Sequence, residues 1–328
     1  MLEKIIKTDV LIIGGAGAGL RAAIEARLNG MDTLLVSKMP AGGTSCTLVM
    51  AGWITCATPE NEDQLFKQIV YTGGYINNQR LVDVFVHDAI YTIPKLRDFG
   101  VIMEQRPGES PDMPAHFMTE GLGSNPKGYG LLYPLRKKAE EIGVDIVDNV
   151  IITKLIKSNE TITGAVGVHL KSKNLLIISA KSVLIASGGG SFAFERSDNP
   201  PGTTGDGFSL AYLAGAELVD MEFVSFNIPK NLIPQIFEVK GEPPDSIINH
   251  GTAHYFLGGV KINENCETNV KGLFACGEVT GGLLGSARLG GSAVADAIVM
   301  GKRAGYGSTM WAKNNEAIDL DMDQVQEA

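Results

Sequence analysis

Only four cysteines occur in the 328 residues, Cys46, Cys56, Cys266 and Cys276, and no two of them form a Cys-x-x-Cys pair. That excludes a zinc ribbon or an iron–sulfur cluster built by this chain alone, and it points to reduced thiols in a cytoplasmic protein. Histidine is as scarce: the five histidines show no metal-ligand spacing, so no metal site is expected. His87 and His116 read as surface or helix-end residues. Neither Ser45 nor Ser292 sits in a Gly-x-Ser-x-Gly elbow, which removes the usual serine-hydrolase signature. Basic runs and basic-aromatic patches are missing, and the formal net charge is −9, so nucleic acid is not a partner. No apolar stretch is long enough to span a bilayer. Lys4 and Lys7 precede an apolar run as in a signal peptide, but Asp9 interrupts it and the glycine-dense continuation makes a poor signal core. Export is therefore not expected.

Glycine is what the chain has in excess, 40 residues without a fibrous period, so many sites need tight turns or close backbone approach. "TDVLII" (8–13) reads as a buried strand, "LRAAIEARLNG" as a helix ending at Gly30 and "DTLLVSK" as a second strand, a βαβ unit with glycines in its first turn. Helices are expected over 62–70, 79–98 and 130–142, along "DGFSLAYLAGAEL", and from Gly290 to about Trp311. A strand pair, "TGAVGVHLK" and "NLLIISAKSVLIASGGG", adds an antiparallel β element. The alternation predicts an α/β fold of Rossmann type with a central parallel sheet. Residues 228–250 are proline-rich and aperiodic, an excursion from the main domain. The acidic end, "AIDLDMDQVQEA", reads as a surface tail or a docking segment.

"GGAGAG" (14–19) follows a strand and opens a helix, the context in which a glycine fingerprint has meaning. In the G-x-G-x-x-G register it reads Gly14, Ala16, Gly19, so the middle glycine is replaced and its methyl crowds a pyrophosphate slightly. The helix N-terminus still offers amide donors and a favourable dipole. The acid that meets a ribose about 20 residues on is absent; Ser37 stands there and Asp32 comes too early, which weakens an NAD reading. Further glycine-rich stretches are "LIASGGG" (184–190), "TTGDG" (203–207) and "LFACGEV" (273–279).

Taken with "VSK", "HYFLGGV" and "ARLGGSAVADAIVMGKRAG", these stretches make the chain resemble the flavoprotein subunits of the succinate dehydrogenase and fumarate reductase family over most of residues 8–308. The resemblance implies FAD. It places Gly14, Gly17, Ala18 and Gly19 at the pyrophosphate, and Ser37 and Lys38 near the adenosine end. Gly43 and Thr44 fall near the flavin-facing loop, with Ser187, Gly188, Asp206 and Gly277 along the cofactor. Glu278 would bond ribitol or ribose hydroxyls, and Ser292 would face the flavin N1/O2 edge at a helix N-terminus, where negative charge is favoured. It also implies that His254 and Arg288 grip a substrate carboxylate. Read from the residues alone, His254 is equally a hydrogen-bonded core histidine and Arg288 an ion pair seating the last helix. Membrane-bound members carry Ser-His-Thr with the histidine joined to the flavin. Here "SCT" puts Cys46 in that place, which implies FAD held without a covalent bond, a cysteinyl link being the alternative.

The family pattern also breaks. Its "EFVQFHPT" histidine corresponds to Asn227, its large cap is reduced to roughly 228–253, and that stretch contains no arginine to serve as proton donor. The expected division is an FAD-binding domain, 1–227 and 254–311, a cap remnant, 228–253, and a C-terminal tail, 312–328. A missing cap leaves the flavin exposed unless another chain covers it, so a partner is expected, an iron–sulfur protein or a second copy, with a small-molecule substrate and no membrane span. The location expected is cytoplasmic, or peripheral to a membrane through a partner. The function expected is an FAD-dependent oxidoreductase, either one component of a redox complex or a reduced-cap enzyme. The alternative is a non-catalytic flavin-binding subunit, structural or sensory.

Overall fold

The protein is described from a computed structural model over residues 5–106, 116–121, 125–227 and 251–328. The first half contributes β1 (Ile5–Ile13), α1 (Gly17–Leu28), β2 (Thr33–Ser37), β3 (Trp53–Thr55), α2 (Glu62–Thr72), α3 (Gln79–Thr92), β4 (Met103–Arg106), β5 (His116–Thr119) and α4 (Tyr129–Glu141). Then come β6 (Asp145–Asp148), β7 (Val150–Ser158), β8 (Thr161–His169), β9 (Leu175–Ile185), α5 (Asp206–Leu213), β10 (Leu218–Val219) and β11 (Val224–Asn227). The last part holds β12 (Thr252–Phe256), β13 (Gly259–Lys261), β14 (Leu273–Ala275), β15 (Thr280–Gly281), α6 (Ser292–Asn314) and α7 (Met322–Gln326).

The central sheet has the order β6-β2-β1-β9-β8-β7, with β14 also paired to β9. β6, β2, β1, β9 and β14 are parallel, while β8 pairs antiparallel with β9 and β7 antiparallel with β8. Strand β9 serves both patterns because it is long. Its first half pairs with β8 (Gly164↔Ser179) and its last residues pair with β14 (Ala275↔Ile185). The runs Val10–Ile13 and Val183–Ile185 are fully buried, as a sheet covered on both faces requires. The expected α/β fold with a parallel sheet and an antiparallel addition is what forms.

Helices α1 and α6 lie on this sheet and touch closely. Cβ atoms at Gly301 and Gly305 of α6 would fall 2.7 Å from the Ala18 carbonyl oxygen and 2.4 Å from that of Ala22. Such small residues let the two backbones meet, so the helices run side by side with both N-termini at the same edge of the sheet. That edge, at the carboxyl ends of the parallel strands, is where such sheets place a ligand crevice. Three small sheets, β3-β5-β4, β10-β13-β15 and β11-β12, complete the fold, and of these β3 and β12 bring Trp53, His254 and Tyr255 to the crevice.

Two expectations need correction. The helix over 79–98 is interrupted: α3 stops at Thr92 and a separate 3-10 turn, Pro94–Phe99, follows, because proline lacks the N–H an α-helix needs there. For His116, read as a surface or helix-end residue, only the helix-end option fails: it lies half-buried within strand β5, stacked on Trp53 at 5.2 Å. Of the two options for the acidic end, docking is the one that forms. Gln324 Nε2 donates to the Lys157 carbonyl at 2.6 Å, and Val325 is buried against Ile156, Val166 and Ile177. The proposed cap remnant lies almost wholly outside the described residues.

Candidate functional site

A cleft of about 600 Å³ opens between the two helix N-termini and the strand ends, within the size range of small-molecule sites. Its walls include Gly14, Ala18, Ser37, Lys38, Gly43, Thr44, Cys46, Ser187, Gly188, Asp206, His254, Glu278 and Arg288. Residues singled out in the sequence, spread over almost the whole chain, thus meet in one place. Gly17, Gly19, Gly277 and Ser292 are not among the lining residues, though each adjoins one in the chain. Arg97, Arg106, Arg136 and Arg196 are not among the lining residues.

The glycine turn is shaped by contact. Gly14 has φ +120°, and a Cβ there would sit 2.2 Å from the Ala186 carbonyl oxygen. A Cβ at Gly19 would lie 1.8 Å from the Gly14 carbonyl oxygen, so α1 can leave the turn only without side chains at both positions. At the end of β2, Ser37 is buried, and Lys38 Nζ donates to Asp206 Oδ2 at 2.5 Å and to Thr204 Oγ1 at 2.6 Å. Residues expected at separate points of a cofactor are thus tied across the cleft. Ser292 Oγ, fully buried, donates to the Leu289 carbonyl at 2.6 Å and shapes the entry to α6.

At the other end the groups are charged. Both oxygens of Asp198 lie 3.0 Å from His254 Nδ1, and Asn227 Nδ2 donates to Asp198 Oδ2 at 2.5 Å. Asp198 was not legible as a site residue, since nothing in "ERSDNPPG" marks it. The Arg288 guanidinium lies over the Tyr255 ring at 4.8 Å and has no ion-pair partner within 4.0 Å among the described residues. Glu278 accepts from the Phe256 N–H at 3.1 Å, and burial pushes its carboxyl up to about 7 against that bond and the Arg288 charge. Asp296 of α6, another residue the sequence did not single out, is pushed up to about 7 by burial and then by Glu278.

Cys46 Sγ lies 3.6 Å from Thr203 Oγ1. Burial first, and Glu278 next, push its thiol up to about 12, so it carries little thiolate at neutral pH. All four cysteines are free, and no cluster among the described residues could hold a metal ion.

The residues fit a dinucleotide. Two helices of 12 and 23 residues direct their N-terminal amides to the cleft, where they favour phosphate or an anionic ring edge. The Ser187 Oγ is buried, unpartnered and at the wall, a polar atom awaiting a ligand.

The comparisons agree with this geometry. The family described as FAD binding domain matches residues 9–242 and 233–294. An FAD-dependent oxidoreductase of Methanocaldococcus jannaschii is 30% identical, with 97% of this chain and 75% of that protein covered. A chain of the CoM/CoB fumarate reductase of Methanothermobacter marburgensis is 28% identical over 96% of this chain and 74% of its own length. The FrdA chain of Escherichia coli quinol fumarate reductase superposes with a TM-score of 0.84 at 21% identity, covering 99% of this chain and 73% of that one.

Proposed function

The chain belongs to the FAD binding domain family, and from that premise we propose how its cleft is used. It is an FAD-dependent oxidoreductase of the fumarate reductase and succinate dehydrogenase flavoprotein type; the non-catalytic alternative is not favoured. When bound, FAD supplies two-electron hydride chemistry. The chain's part is to hold it: Gly14, Gly17, Ala18 and Gly19 at the pyrophosphate, Ser37 and Lys38 toward the adenosine, with Asp206 fixing Lys38. Gly43, Thr44, Ser187, Gly188, Gly277, Glu278 and Ser292 serve the remainder. The high thiol of Cys46 supports FAD held without a covalent link.

The substrate is proposed to be a small carboxylate gripped by Arg288 and His254. The observation that carries this is the unpaired guanidinium: Arg288 lines the cleft, and its buried Nε has no partner. A buried donor left open costs about 1–3 kcal/mol, which a bidentate carboxylate offsets. Relatives named as fumarate reductase subunits support a dicarboxylate.

The family match breaks into two pieces inside 228–253, and the 414-position alignment to the M. jannaschii relative is longer than this chain. Both support an FAD-binding domain over 1–227 and 254–311 with a reduced cap between them, and the packing of Val325 supports a docked tail at 312–328. A reduced cap in turn favours a partner over the flavin. The relatives' status as subunits supports a partner chain, an iron–sulfur protein or a second copy. No described helix is long and apolar enough to cross a membrane, so association with one would run through that partner.

The test is a visible spectrum of the holoprotein, reduced without oxygen and then mixed with fumarate. Return of the yellow flavin band is expected. A preparation that stays bleached until an artificial acceptor is added rejects fumarate as the substrate, and a colourless preparation that takes up no FAD overturns the cofactor assignment in this cleft.

A further inference from the structure

We infer that Asp198 couples substrate binding to proton uptake: a carboxylate entering the cleft brings one proton onto His254. The inference rests on the carboxylate reading above. Asp198 places both oxygens 3.0 Å from His254 Nδ1, and Asn227 Nδ2 pins that carboxylate by donating to Oδ2. From the main-chain side, Asn199 Nδ2 donates to the His254 carbonyl oxygen and to Ser191 Oγ, which fixes the strand that carries the ring. Nε2 is the ring's free edge, without a hydrogen-bond partner among the described residues, and His254 lines the cleft.

An ionised carboxylate can only accept hydrogen bonds. Asp198 therefore requires a hydrogen on Nδ1. In the neutral ring that choice leaves Nε2 bare, an acceptor facing the cleft, and a second carboxylate there would meet lone pair against lone pair. Both carboxylates are satisfied only by the imidazolium, with a hydrogen on each nitrogen. Proton and substrate thus bind together, and the bound anion meets two cations, His254 and Arg288.

The charged groups around the ring are few. Asp198 comes from the loop beside β12, Asn227 is the polar residue of β11 at Asp198, Glu278 comes from the turn behind, and Arg288 and the Cys46 thiol line the same cleft. Lys38 and Asp206, at the far end of the cleft, neutralise each other. Asp198 is the one of these groups within hydrogen-bond distance of the ring nitrogens.

Asp198→Asn separates this coupling from simple support. An asparagine amide can donate to Nδ1, which moves the hydrogen to Nε2, and that neutral tautomer grips a carboxylate without taking up a proton. The experiment is calorimetric titration of the oxidised, FAD-loaded protein with fumarate, which cannot react in that state, at pH 8.5 in two buffers of different ionisation enthalpy. Histidine is ordinarily neutral at that pH. Wild type is expected to take up close to one proton per fumarate, with Kd weakening about tenfold per pH unit between 8 and 9. D198N is expected to bind fumarate with close to no uptake and a flat Kd. Wild-type binding without uptake, or equal uptake by D198N, overturns the inference. If D198N does not fold, ¹⁵N NMR of the wild-type imidazole decides: both nitrogens protonated in the complex supports it, and a neutral tautomer overturns it. Absence of any fumarate or malonate binding overturns the carboxylate reading, and the inference with it.

Discussion

At the glycine-turn end of the cleft the charged side chains neutralise each other, whereas at the Arg288 end a guanidinium is left open. Lys38 is paired to Asp206 at 2.5 Å and Ser37 is buried, so what remains for a ligand there is main-chain amide, helix N-terminus and the neutral Ser187 hydroxyl. Arg288, by contrast, has no ion-pair partner among the described residues, its Nε is orphaned, and His254 keeps one nitrogen free. A cofactor that stays bound is best held by backbone shape, which needs no reorganisation. A substrate that comes and goes needs charges that the protein itself leaves unanswered, since a group already engaged by a neighbour cannot discriminate.

The sharpest attack on this contrast is at the backbone end. Gly19→Val places a Cβ 1.8 Å from the Gly14 carbonyl oxygen and 2.9 Å from its carbon, main-chain atoms that no side-chain rotation can move away. It is expected to abolish FAD binding and cost about 3 kcal/mol or more of stability, read by absorbance near 450 nm and by thermal unfolding. Retention of stoichiometric FAD would show that shape is not what holds the cofactor. Next, Arg288→Ala should keep its FAD while losing at least about 30-fold in kcat/KM for a carboxylate substrate, the equivalent of about 2 kcal/mol. Arg288→Lys should recover only part of this, since an ammonium lacks the planar fork. If FAD were lost together with activity, the two ends would not be separable.

A smaller effect tests the acids between the two ends. Asp296 is raised to about 7 in the fold, far above its unfolded value near 3.8. The folded state therefore binds the proton more tightly than the unfolded state. Its contribution to stability is full below about pH 4, falls as pH rises toward 7, and is gone above that. Asp296→Asn removes this dependence: Tm is expected to rise by about 2–4 °C relative to wild type at pH 8 and to differ little at pH 4. An equal shift at both pH values would mean that packing, not charge, sets the difference. The smallest effect is expected at Cys46. With its thiol pushed up to about 12, acid precipitation should release all FAD from wild type, and Cys46→Ser should release the same amount. Flavin remaining on the wild-type pellet alone would establish a cysteinyl bond.

The glycine turn, the strand-ending "VSK", the "ASGGG" and "TTGDG" stretches, and the His254 and Arg288 motifs were readable because each is local: a backbone shape or a residue type at fixed spacing. The sheet was readable for the same reason, from apolar runs such as "VLII" that only a covered strand accommodates. The helix over 79–98 was misjudged at its end because the apolar pattern continued through Pro94 while the missing N–H did not allow the helix to. Asp198 and Asp296 gave no signal at all. A carboxylate in a loop and another in a helix look solvated until the fold sets one against His254 and buries the other behind Glu278.

By itself, then, the sequence determined the α/β frame and the FAD-type turn and singled out His254 and Arg288 as candidates, because periodicity, motif spacing and backbone sterics act over a few residues. Tertiary structure alone decided that Lys38 would be consumed by Asp206, that Cys46 would be a half-buried thiol with little thiolate character, and that His254 would acquire an acid on one edge and keep the other free. Those outcomes depend on distance and desolvation between residues as far apart in the chain as 38 and 206, or 198 and 254, which no local pattern encodes.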